Sequence, residues 1–445
     1  MIRGDTSPPL YYLLLRGWVG MFGHSEVAMR SLSAVFSSAA LLVFYGIARR
    51  LLRDRWAVTA AMCLAAVSCM GISYAHEARF YTLTLLLAMT GFYLVVLVAE
   101  RSTLWRLGLL TAVWIVSLYT ANTLSIYLAA MGVAWLILPG STPVRRRFID
   151  LSIVMAIAAI AFLPWLPTML AQTRAIHGNF WPSPPDRWDL AQVVAIMCGV
   201  NTLPSEQITL IVLNAALVVI LIWGLFNPAI RRSAIALTIV AFAPVLLVFV
   251  VSLISQPIFI ERILLPTALF APLLIVMILN SVATGLWRWV GGGAVLVLLI
   301  LSVRSIGDIW LGAHPEPWRE ISQFVDADRS NHPLIIFAAN ESELLYDYYS
   351  RNFDYSPSPR LLGLPSGFFD IDPPKTMRRV LSDADLTRLR AALPRDFVGE
   401  VILVESHPWW ADPEGRIPEF LNQRMRLIGQ QKFSHTTVYR YSSVR

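Results

Sequence analysis

The chain has 445 residues, of which 56% are hydrophobic and only 15% are charged, and its mean hydropathy is +0.59. This composition excludes a soluble globular protein and is typical of a polytopic membrane protein. The formal net charge is +7, but the basic excess lies beside apolar segments, so it indicates membrane topology and not nucleic-acid binding. Cys63, Cys69 and Cys198 lie in or beside apolar runs and indicate neither a disulfide framework nor a zinc cluster.

Ten apolar segments approach or exceed the length of about 20 helical residues that crosses a hydrocarbon core. They lie at residues 27–48, 56–74, 82–99, 104–119, 122–138, 149–171, 207–226, 233–254, 263–283 and 289–306. An earlier apolar run over 10–22 is interrupted by Arg16 and has no small-residue cleavage site, so it does not predict a secretory signal. The sequence therefore predicts an α-helical polytopic membrane protein with about ten spans.

Arginines are distributed unequally between the two sets of predicted loops. Alternate loops contain twelve of them: Arg49, Arg50, Arg53, Arg55, Arg101, Arg106, Arg145, Arg146, Arg147, Arg231, Arg232 and Arg288. The intervening connections contain four: Arg79, Arg174, Arg187 and Arg262. Because lysine and arginine in short loops mark the cytoplasmic side, the second set of connections is predicted to face away from the cytoplasm. These include the Trp/Pro-rich loop 172–206.

The first predicted span then runs from outside to inside, which places residues 1–26 outside at the start. That segment contains Arg3 and Arg16 and has no preceding span in this sequence. Either it is translocated unaided or a span upstream of Met1 belongs to the protein, and we expect the second.

The charge balance changes after residue 306. Residues 1–306 have 10 acidic and 20 basic side chains, whereas 307–445 have 19 and 16. The second segment alternates helical apolar spacing, as over 318–325, with strand-like runs at 333–339 and 400–405. We expect two domains. Residues 1–306 form a membrane domain that includes a juxtamembrane helix, and residues 307–445 form a soluble extracytoplasmic α/β domain. A disordered tail is the alternative, although the many aromatic and aliphatic residues disfavour it.

The most informative motif is His-Glu-Ala-Arg-Phe-Tyr at 76–81, which places a carboxylate and a guanidinium between two apolar runs. Charges at membrane depth are usually functional, and the pattern predicts a tight turn at a membrane face. The alternative for Glu77 and Arg79 is a structural ion pair. Arg262 follows Glu261 in a similar position, and its alternative is interfacial snorkelling.

Five segments, at 5–15, 22–30, 77–81, 163–167 and 261–266, resemble motifs of one family in the family's own order. They match its Asp-x-His-Pro-Pro-Leu-Tyr-Tyr, Phe-Gly-x-Ser-Glu, Glu-Ala-Arg-x-Tyr, Pro-Trp and Arg-Tyr-Leu-Leu-Pro elements. The family is the membrane glycosyltransferases with a GT-C fold that use polyprenyl-phosphate sugars, which are related to protein O-mannosyltransferases and the lipid A aminoarabinose transferase. Ser7 stands where the family commonly has histidine.

The resemblance implies sugar transfer, with inversion, from a polyprenyl-phosphate donor to a protein, lipid or glycan acceptor on the extracytoplasmic side. Such chemistry needs a carboxylate base on the acceptor hydroxyl and cations on the leaving lipid phosphate. Arg79 and Arg262 are the phosphate candidates, because guanidinium stays charged and binds phosphate through two nitrogens. Glu77 and Glu261 are candidates to orient these arginines or bind acceptor.

Tyr81, Tyr11 and Tyr12 are candidates to line the sugar pocket, with anchoring at the headgroup level as the alternative. The family's catalytic carboxylate lies in an acidic motif shortly after the first span, and neither element occurs in this sequence. Asp5 is the only acidic residue before Glu26. Three explanations stay open: the true start lies upstream, Asp5 has become the base, or the protein is an inactive relative.

Other functional classes fit less well. His24, His76 and His177 are too scattered to predict a metal site, so no cofactor is predicted, although dependence on a divalent metal stays open. A transporter or flippase of lipid-linked substrates also needs charges at membrane depth, but usually near the midplane of paired repeats, and the sequence shows no repeat. A non-catalytic scaffold is the third alternative. We expect a bacterial inner (plasma) membrane location.

Overall fold

The computed structural model describes residues 8–52, 54–176, 183–203, 205–282, 285–312, 316–327, 333–350, 360–366 and 380–443. The described residues divide into two compact units, one ending at Gly312 and the other beginning after it.

The first unit is helical. Its helices are α1 (Leu10–Phe22), α2 (Glu26–Leu51), α3 (Arg55–Ala66), α4 (Cys69–Ala75), α5 (Tyr81–Glu100), α6 (Leu104–Leu118), α7 (Leu124–Ile137), α8 (Val144–Phe162), α9 (Leu166–Ile176), α10 (Arg187–Met197), α11 (Gln207–Phe226), α12 (Arg231–Ile254), α13 (Thr267–Ser281) and α14 (Leu286–Gly312). A 3₁₀ turn, Glu261–Leu264, precedes α13.

Five helices, α2, α5, α11, α12 and α14, are long and apolar enough to cross a membrane. The bent pairs α3 with α4 and α8 with α9 raise the number to seven, and α6, α7 and α13 are shorter apolar helices. Each predicted segment contains one of these helices or pairs. The predicted α-helical polytopic fold is therefore confirmed.

The segment predicted as one span at 149–171 is not a single straight helix. Helix α8 begins earlier, at Val144, and α9 continues after a bend of 71°. Pro164 and Pro167 lie at this break, and proline removes a backbone donor and clashes with the preceding turn. The break between α3 and α4 is 47°, and the Ser68 Oγ caps the new helix by accepting a bond from the Gly71 amide at 3.2 Å.

Helices α5 and α13 are the most enclosed elements of the first unit. Helix α5 packs against α2, α6 and α7, whereas α13 packs against α12, α3 and α11. Both are apolar around their whole circumference, which is the composition of a helix surrounded by other helices. Each begins directly after one of the two connections that contain Arg79 and Arg262.

A buried arginine holds the opposite end of this bundle. Arg147 is 1% exposed and donates to the carbonyl oxygens of Ala99 at 3.2 Å, Trp135 at 3.0 Å, Thr142 at 2.8 Å and also Leu138. These carbonyls lie at or near the carboxyl ends of α5 and α7, where the helix dipole favours a cation. Arg147 therefore joins three chain segments. It is also one of the twelve arginines that predict the cytoplasmic side.

The second unit contains α15 (Trp318–Asp326), β1 (Leu334–Ala338), α16 (Glu341–Ser350), β2 (Leu361–Leu364), α17 (Asp383–Ala392), β3 (Glu400–Ser406), α18 (Pro408–Ala411), α19 (Arg416–Asn422), β4 (Met425–Lys432) and β5 (Thr436–Ser443). The strand order is β2-β1-β3-β5-β4. Strands β2, β1 and β3 are parallel, and β5 is antiparallel to both β3 and β4. The predicted α/β fold is confirmed.

Both faces of the central strands are covered. In β1, Ile336 packs in one apolar cluster with Leu403, while Phe337 packs in a second cluster with Val404 and Trp318. This explains why β1 reads as a continuous apolar run and not as an alternating one.

Candidate functional site

The connection between α4 and α5 is a tight turn, as the sequence predicts. The Tyr74 carbonyl accepts from the Glu77 amide at 3.3 Å, and the Glu77 carbonyl accepts from the Arg79 amide at 2.8 Å. His76 Nδ1 lies 2.8 Å from the carbonyl oxygen of Ile72 in the preceding turn of α4. These local bonds hold the backbone so that Glu77 and Arg79 both immediately precede the buried helix α5.

The second connection, between α12 and α13, is also fixed by hydrogen bonds. Ser252 Oγ accepts from the Ile258 amide at 2.9 Å, and the hydroxyl of Tyr127 donates to the Ile263 carbonyl at 3.5 Å. Glu261 and Arg262 lie in the 3₁₀ turn between these points and are both half-buried. The turn therefore places a second acidic–basic pair ahead of a buried helix.

The two pairs meet at Tyr81, whose side chain is buried at 3% exposure. The guanidinium carbons of Arg79 and Arg262 each lie 5.9 Å from the centre of the Tyr81 ring. Both cations therefore share one aromatic ring and can be at most 11.8 Å apart. The rings of Tyr74 and Phe80 pack against the same tyrosine, with centroid separations of 5.4 Å and 4.7 Å.

The carboxylate of Glu77 interacts electrostatically with both arginines. Its side chain contacts solvent, yet the protein around the turn desolvates it, and this burial raises the pKa of Glu77 above its ordinary value. The positive charges of Arg79 and Arg262 oppose that rise. Glu77 is thus the counter-charge that any anionic ligand of the two arginines would meet.

Glu261 has a different electrostatic environment. Burial raises the pKa of Glu261, and the negative charge of Asp189 raises it further. Asp189 lies in the first turn of α10, where its side chain completes a capping box with Asp186. Helix α10 packs against α4, α11 and α13, so the second half of loop 172–206 returns to the neighbourhood of Glu261.

The predicted tyrosines of α1 also connect to the Arg79 turn. Tyr11 is fully buried, and its hydroxyl lies 3.1 Å from Ser33 Oγ, which in turn donates to the Arg79 carbonyl at 3.4 Å. The half-buried ring of Tyr12 packs edge-on against Tyr11 with centroids 5.6 Å apart. Helix α1 is therefore fastened to the turn through α2. Asp5, the candidate base, lies outside the described residues.

A cavity of about 180 Å³ lies beside the turn, between α2, α3, α4, α5 and α13. Its walls contain many small side chains, among them Ser37, Ala66, Gly71 and Ala75, and it reaches His76 at the turn. Small residues leave space between packed helices, so a narrow group could enter beside the charged site.

Sequence reasoning did not single out Ser33, Tyr74 or Asp189. Tyr74 stands three residues before Glu77, about one helical turn, so its position was readable once α4 was recognised. Ser33 and Asp189 are remote in sequence from both turns, and no local pattern marks them. Among the described residues, no group of three or more His, Cys, Asp or Glu side chains is arranged to hold a metal ion.

The charge arrangement favours an anion. Two guanidinium groups precede the N-termini of α5 and α13, where the helix dipoles add partial positive charge. Guanidinium binds phosphate oxygens through two parallel hydrogen bonds. The site can therefore hold a phosphate group, with carboxylates beside it.

Residues 6–167 match the family model described as dolichyl-phosphate-mannose-protein mannosyltransferase. A crystal structure of ArnT from Cupriavidus metallidurans bound to undecaprenyl phosphate matches with a TM-score of 0.57 at 12% identity, over 98% of this chain and 88% of that chain. The chain has a GT-C fold. The predicted resemblance to the polyprenyl-phosphate-sugar glycosyltransferases is confirmed over residues 6–167 by the family match, and the ArnT structure supports the fold.

The apo form of the same ArnT matches this GT-C chain with a TM-score of 0.43, also at 12% identity, over 98% of this chain and 87% of that chain. No curated protein has a significantly similar sequence. The family match includes the turn with Glu77 and Arg79 and ends before the turn with Glu261 and Arg262.

Proposed function

We propose that this protein transfers a sugar from a polyprenyl-phosphate donor to an acceptor hydroxyl. The observation that supports this most directly is the convergence of Arg79 and Arg262 on Tyr81 from turns far apart in sequence. A lipid-linked phosphate needs cations at the edge of an apolar bundle, and this arrangement supplies two of them. The family match and the fold shared with an ArnT that binds undecaprenyl phosphate support the same chemistry.

In the proposed reaction the acceptor oxygen attacks the anomeric carbon of the sugar while the bond from that carbon to the phosphate oxygen breaks. The electron pair of the broken bond leaves with the polyprenyl phosphate, whose negative charge grows. Arg79 and Arg262 stabilise this charge, which is larger in the transition state than in the bound donor. A single displacement of this kind inverts the anomeric carbon.

The proton of the acceptor hydroxyl must pass to a carboxylate. Asp5 is our candidate for this base, because it is the only acidic residue before Glu26. Glu77 and Glu261 are proposed to orient the two arginines or bind the acceptor, because both stand beside them and both have a raised pKa. Tyr81, Tyr11 and Tyr12 are proposed to shape the sugar pocket, with Tyr81 as the ring that the two arginines share.

The donor lipid would enter from the bilayer. We propose that the first units of its isoprenoid chain occupy the cavity of about 180 Å³ beside α2, α3 and α4, which adjoins His76. The arginine distribution supports an extracytoplasmic position for the site and for the soluble α/β domain, in a bacterial inner membrane. We propose residues 1–306 as the catalytic membrane domain and 307–445 as the domain on the acceptor side.

The proposal is tested with Arg79→Ala in the full-length protein, reconstituted in lipid nanodiscs. We expect transfer from polyprenyl-phosphate sugars to fall by about 100-fold or more, since one lost donor to a developing oxyanion has effects of this size. Binding of undecaprenyl phosphate itself is measured in parallel, because this readout does not depend on the sugar. Arg79→Lys should recover only part of both, since it keeps the charge but loses the planar pair of donors.

Arg55→Ala is the matched control. Arg55 also lies over an aromatic ring, that of Trp56 at 5.3 Å, and is exposed like Arg79, but it begins α3 in the set of loops predicted to face the cytoplasm. We expect this variant to insert, bind and transfer normally. Normal transfer by Arg79→Ala, with correct membrane insertion, would overturn the assignment.

A further inference from the structure

A polar cluster in the second unit lies at a characteristic place in its sheet. The chain leaves β1 through α16 to reach β2 on one side, while β3 lies on the other side of β1. In open α/β sheets such a reversal opens a crevice at the carboxyl ends of the two strands, and ligands bind there. The carboxyl ends of β1 and β3 are Ala338 and Ser406.

The backbone at both strand ends is unusual. Ala339, directly after β1, has φ of 82°, and His407, directly after β3, has φ of 51°. Within the described part of the chain these are the two non-glycine residues with positive φ. Side chains other than glycine rarely adopt this conformation, and it costs on the order of 1 kcal/mol, so the surrounding contacts must hold it.

Glu316 holds the His407 end in place. Its Oε1 accepts from Ser406 Oγ at 3.0 Å and Thr436 Oγ1 at 3.1 Å and lies 3.5 Å from His407 Nδ1. Its Oε2 accepts from the indole nitrogen of Trp318 at 2.7 Å. Strands β3 and β5 pair Ser406 with Thr436, so all these groups lie at the carboxyl end of β3.

This network also holds the histidine ring in place. Ser406 Oγ, which donates to Glu316, lies 2.6 Å from His407 Nδ1, so the ring is fastened through this nitrogen. The ring of Trp409 packs edge-on against this imidazole with centroids 4.8 Å apart, and Trp409 is 62% exposed. An apolar aromatic surface therefore adjoins an oriented imidazole.

The charges around the crevice select against anions. Glu341 and Glu343 lie in the first turn of α16, directly after β1, so acidic side chains already complement the positive end of that helix. Glu316 precedes α15 at the same edge, and Arg319 of α15 lies over the ring of Tyr349. No group of metal-ligating side chains occurs here among the described residues. Among ligands with several hydroxyl groups, an uncharged one fits this chemistry better than an anionic one.

We propose that the crevice at the carboxyl ends of β1 and β3 binds an uncharged saccharide, which stacks on Trp409 and hydrogen-bonds to His407. Aromatic faces receive the C–H faces of sugar rings, while carboxylate and imidazole groups bind the hydroxyls. This inference rests on the proposed function and specifies it: the saccharide is part of the acceptor.

The test measures saccharide binding to the full-length protein in nanodiscs by saturation-transfer difference NMR. The probes are uncharged oligosaccharides of mannose, glucose and galactose, each with a uronate counterpart. We expect saturable binding of at least one uncharged probe and weaker binding of its uronate. His407→Asn and Trp409→Ala should each weaken binding by at least 10-fold. Asparagine is chosen because it tolerates positive φ, so the backbone at 407 is kept.

Ile428→Ala is the matched control, since Ile428 is 51% exposed on the edge strand β4 of the same sheet. It should bind like the unsubstituted protein. The proposal is overturned if no uncharged probe binds, if the uronates bind more tightly, or if His407→Asn and Trp409→Ala bind normally.

Failure of this inference is distinguishable from failure of the proposed function. His407→Asn and Trp409→Ala should bind undecaprenyl phosphate normally, whereas Arg79→Ala should lose undecaprenyl phosphate and keep saccharide binding. Loss of both ligands in every variant would show general misfolding, which a thermal unfolding profile of each variant reports; variants that unfold normally then decide the outcome.

Discussion

One polar site of this protein lies at the N-termini of helices, and the other lies at the carboxyl ends of strands. In the membrane unit, Arg79 and Arg262 precede the N-termini of two buried helices and share the ring of Tyr81. In the second unit, Glu316 and His407 lie together at the carboxyl end of β3. The two arginines of the first site suit a phosphate even with carboxylates beside them, whereas the glutamates around the second site favour a ligand without negative charge.

The largest effect is expected from Arg262→Ala, in which transfer should fall by about 100-fold or more, as for Arg79→Ala. The double variant should be little worse than either single one, because groups that act on one phosphate are not additive. Transfer rates of the three variants check this. If the loss of transfer in the double variant equals the product of the two single losses, the two arginines act at separate sites, and the membrane unit has no single phosphate site.

An intermediate effect is expected at the shared ring. Tyr81→Phe keeps the ring and should retain most of the undecaprenyl phosphate affinity, whereas Tyr81→Leu removes the surface that positions both cations. A cation–π contact is worth about 0.5 to 2 kcal/mol, so we expect the affinity of Tyr81→Leu to fall by about 3- to 30-fold. Equal affinities of the two variants would mean that the ring does not position the arginines.

A smaller, pH-dependent effect is expected for Glu77→Gln. The Glu77 carboxylate competes with a phosphate for the two arginines, so its removal should tighten binding of undecaprenyl phosphate a few-fold at neutral pH. Because the pKa of Glu77 is raised, the unsubstituted carboxylate gains its proton at a higher pH than an ordinary glutamate. The two proteins should therefore converge as the pH falls through that raised value.

Affinities of both proteins measured across the same pH range check this, since the ligand's own titration affects both equally. A constant ratio of the two affinities at every pH would contradict it.

The smallest effect concerns the second unit. Burial raises the pKa of Glu405, Asp412 raises it further, and the hydrogen bond from Tyr439 at 3.2 Å opposes the rise. A glutamate whose pKa is raised on folding destabilises the folded state at pH values above that pKa. This destabilisation disappears as the pH falls and the carboxylate is protonated. Glu405→Gln should therefore increase the free energy of unfolding at neutral pH by about 1 kcal/mol or less, with no gain at acidic pH.

Thermal unfolding at several pH values checks this, with the exposed Glu414→Gln as a control that should change nothing. A gain that persists at acidic pH would contradict the linkage.

Much of the architecture was readable from the sequence because bilayer-length apolar runs have few alternatives. Each of the ten predicted segments coincides with a helix or a bent helix pair of the first unit, whereas α1 and α10 lie outside these segments. Helix breaks were less readable: the bend at 163–165 follows from Pro164, yet the apolar pattern continues across it. In the second unit the pattern indicated strands at 333–339 and 400–405, and β1 and β3 lie there.

The candidate site was predicted residue by residue, but its assembly was not. Local motifs marked Arg79 and Arg262 separately, and their roles in phosphate binding stay predictions. Ser33 and Asp189 went unnoticed, because their connections to the site run through helix packing and through the return of α10. The polar cluster of the second unit was missed for a similar reason, since Glu316 and His407 are remote in sequence.

The sequence by itself determined that this is a polytopic helical protein with an α/β unit after it, and it marked the charged turns that interrupt the apolar runs. These features are local, because hydrophobic length, arginine bias and short motifs are read within a few tens of residues. Only the tertiary structure decided that two distant arginines share the ring of Tyr81 and that Glu316 orients His407. Such meetings depend on how buried helices and paired strands pack, and no local pattern encodes them.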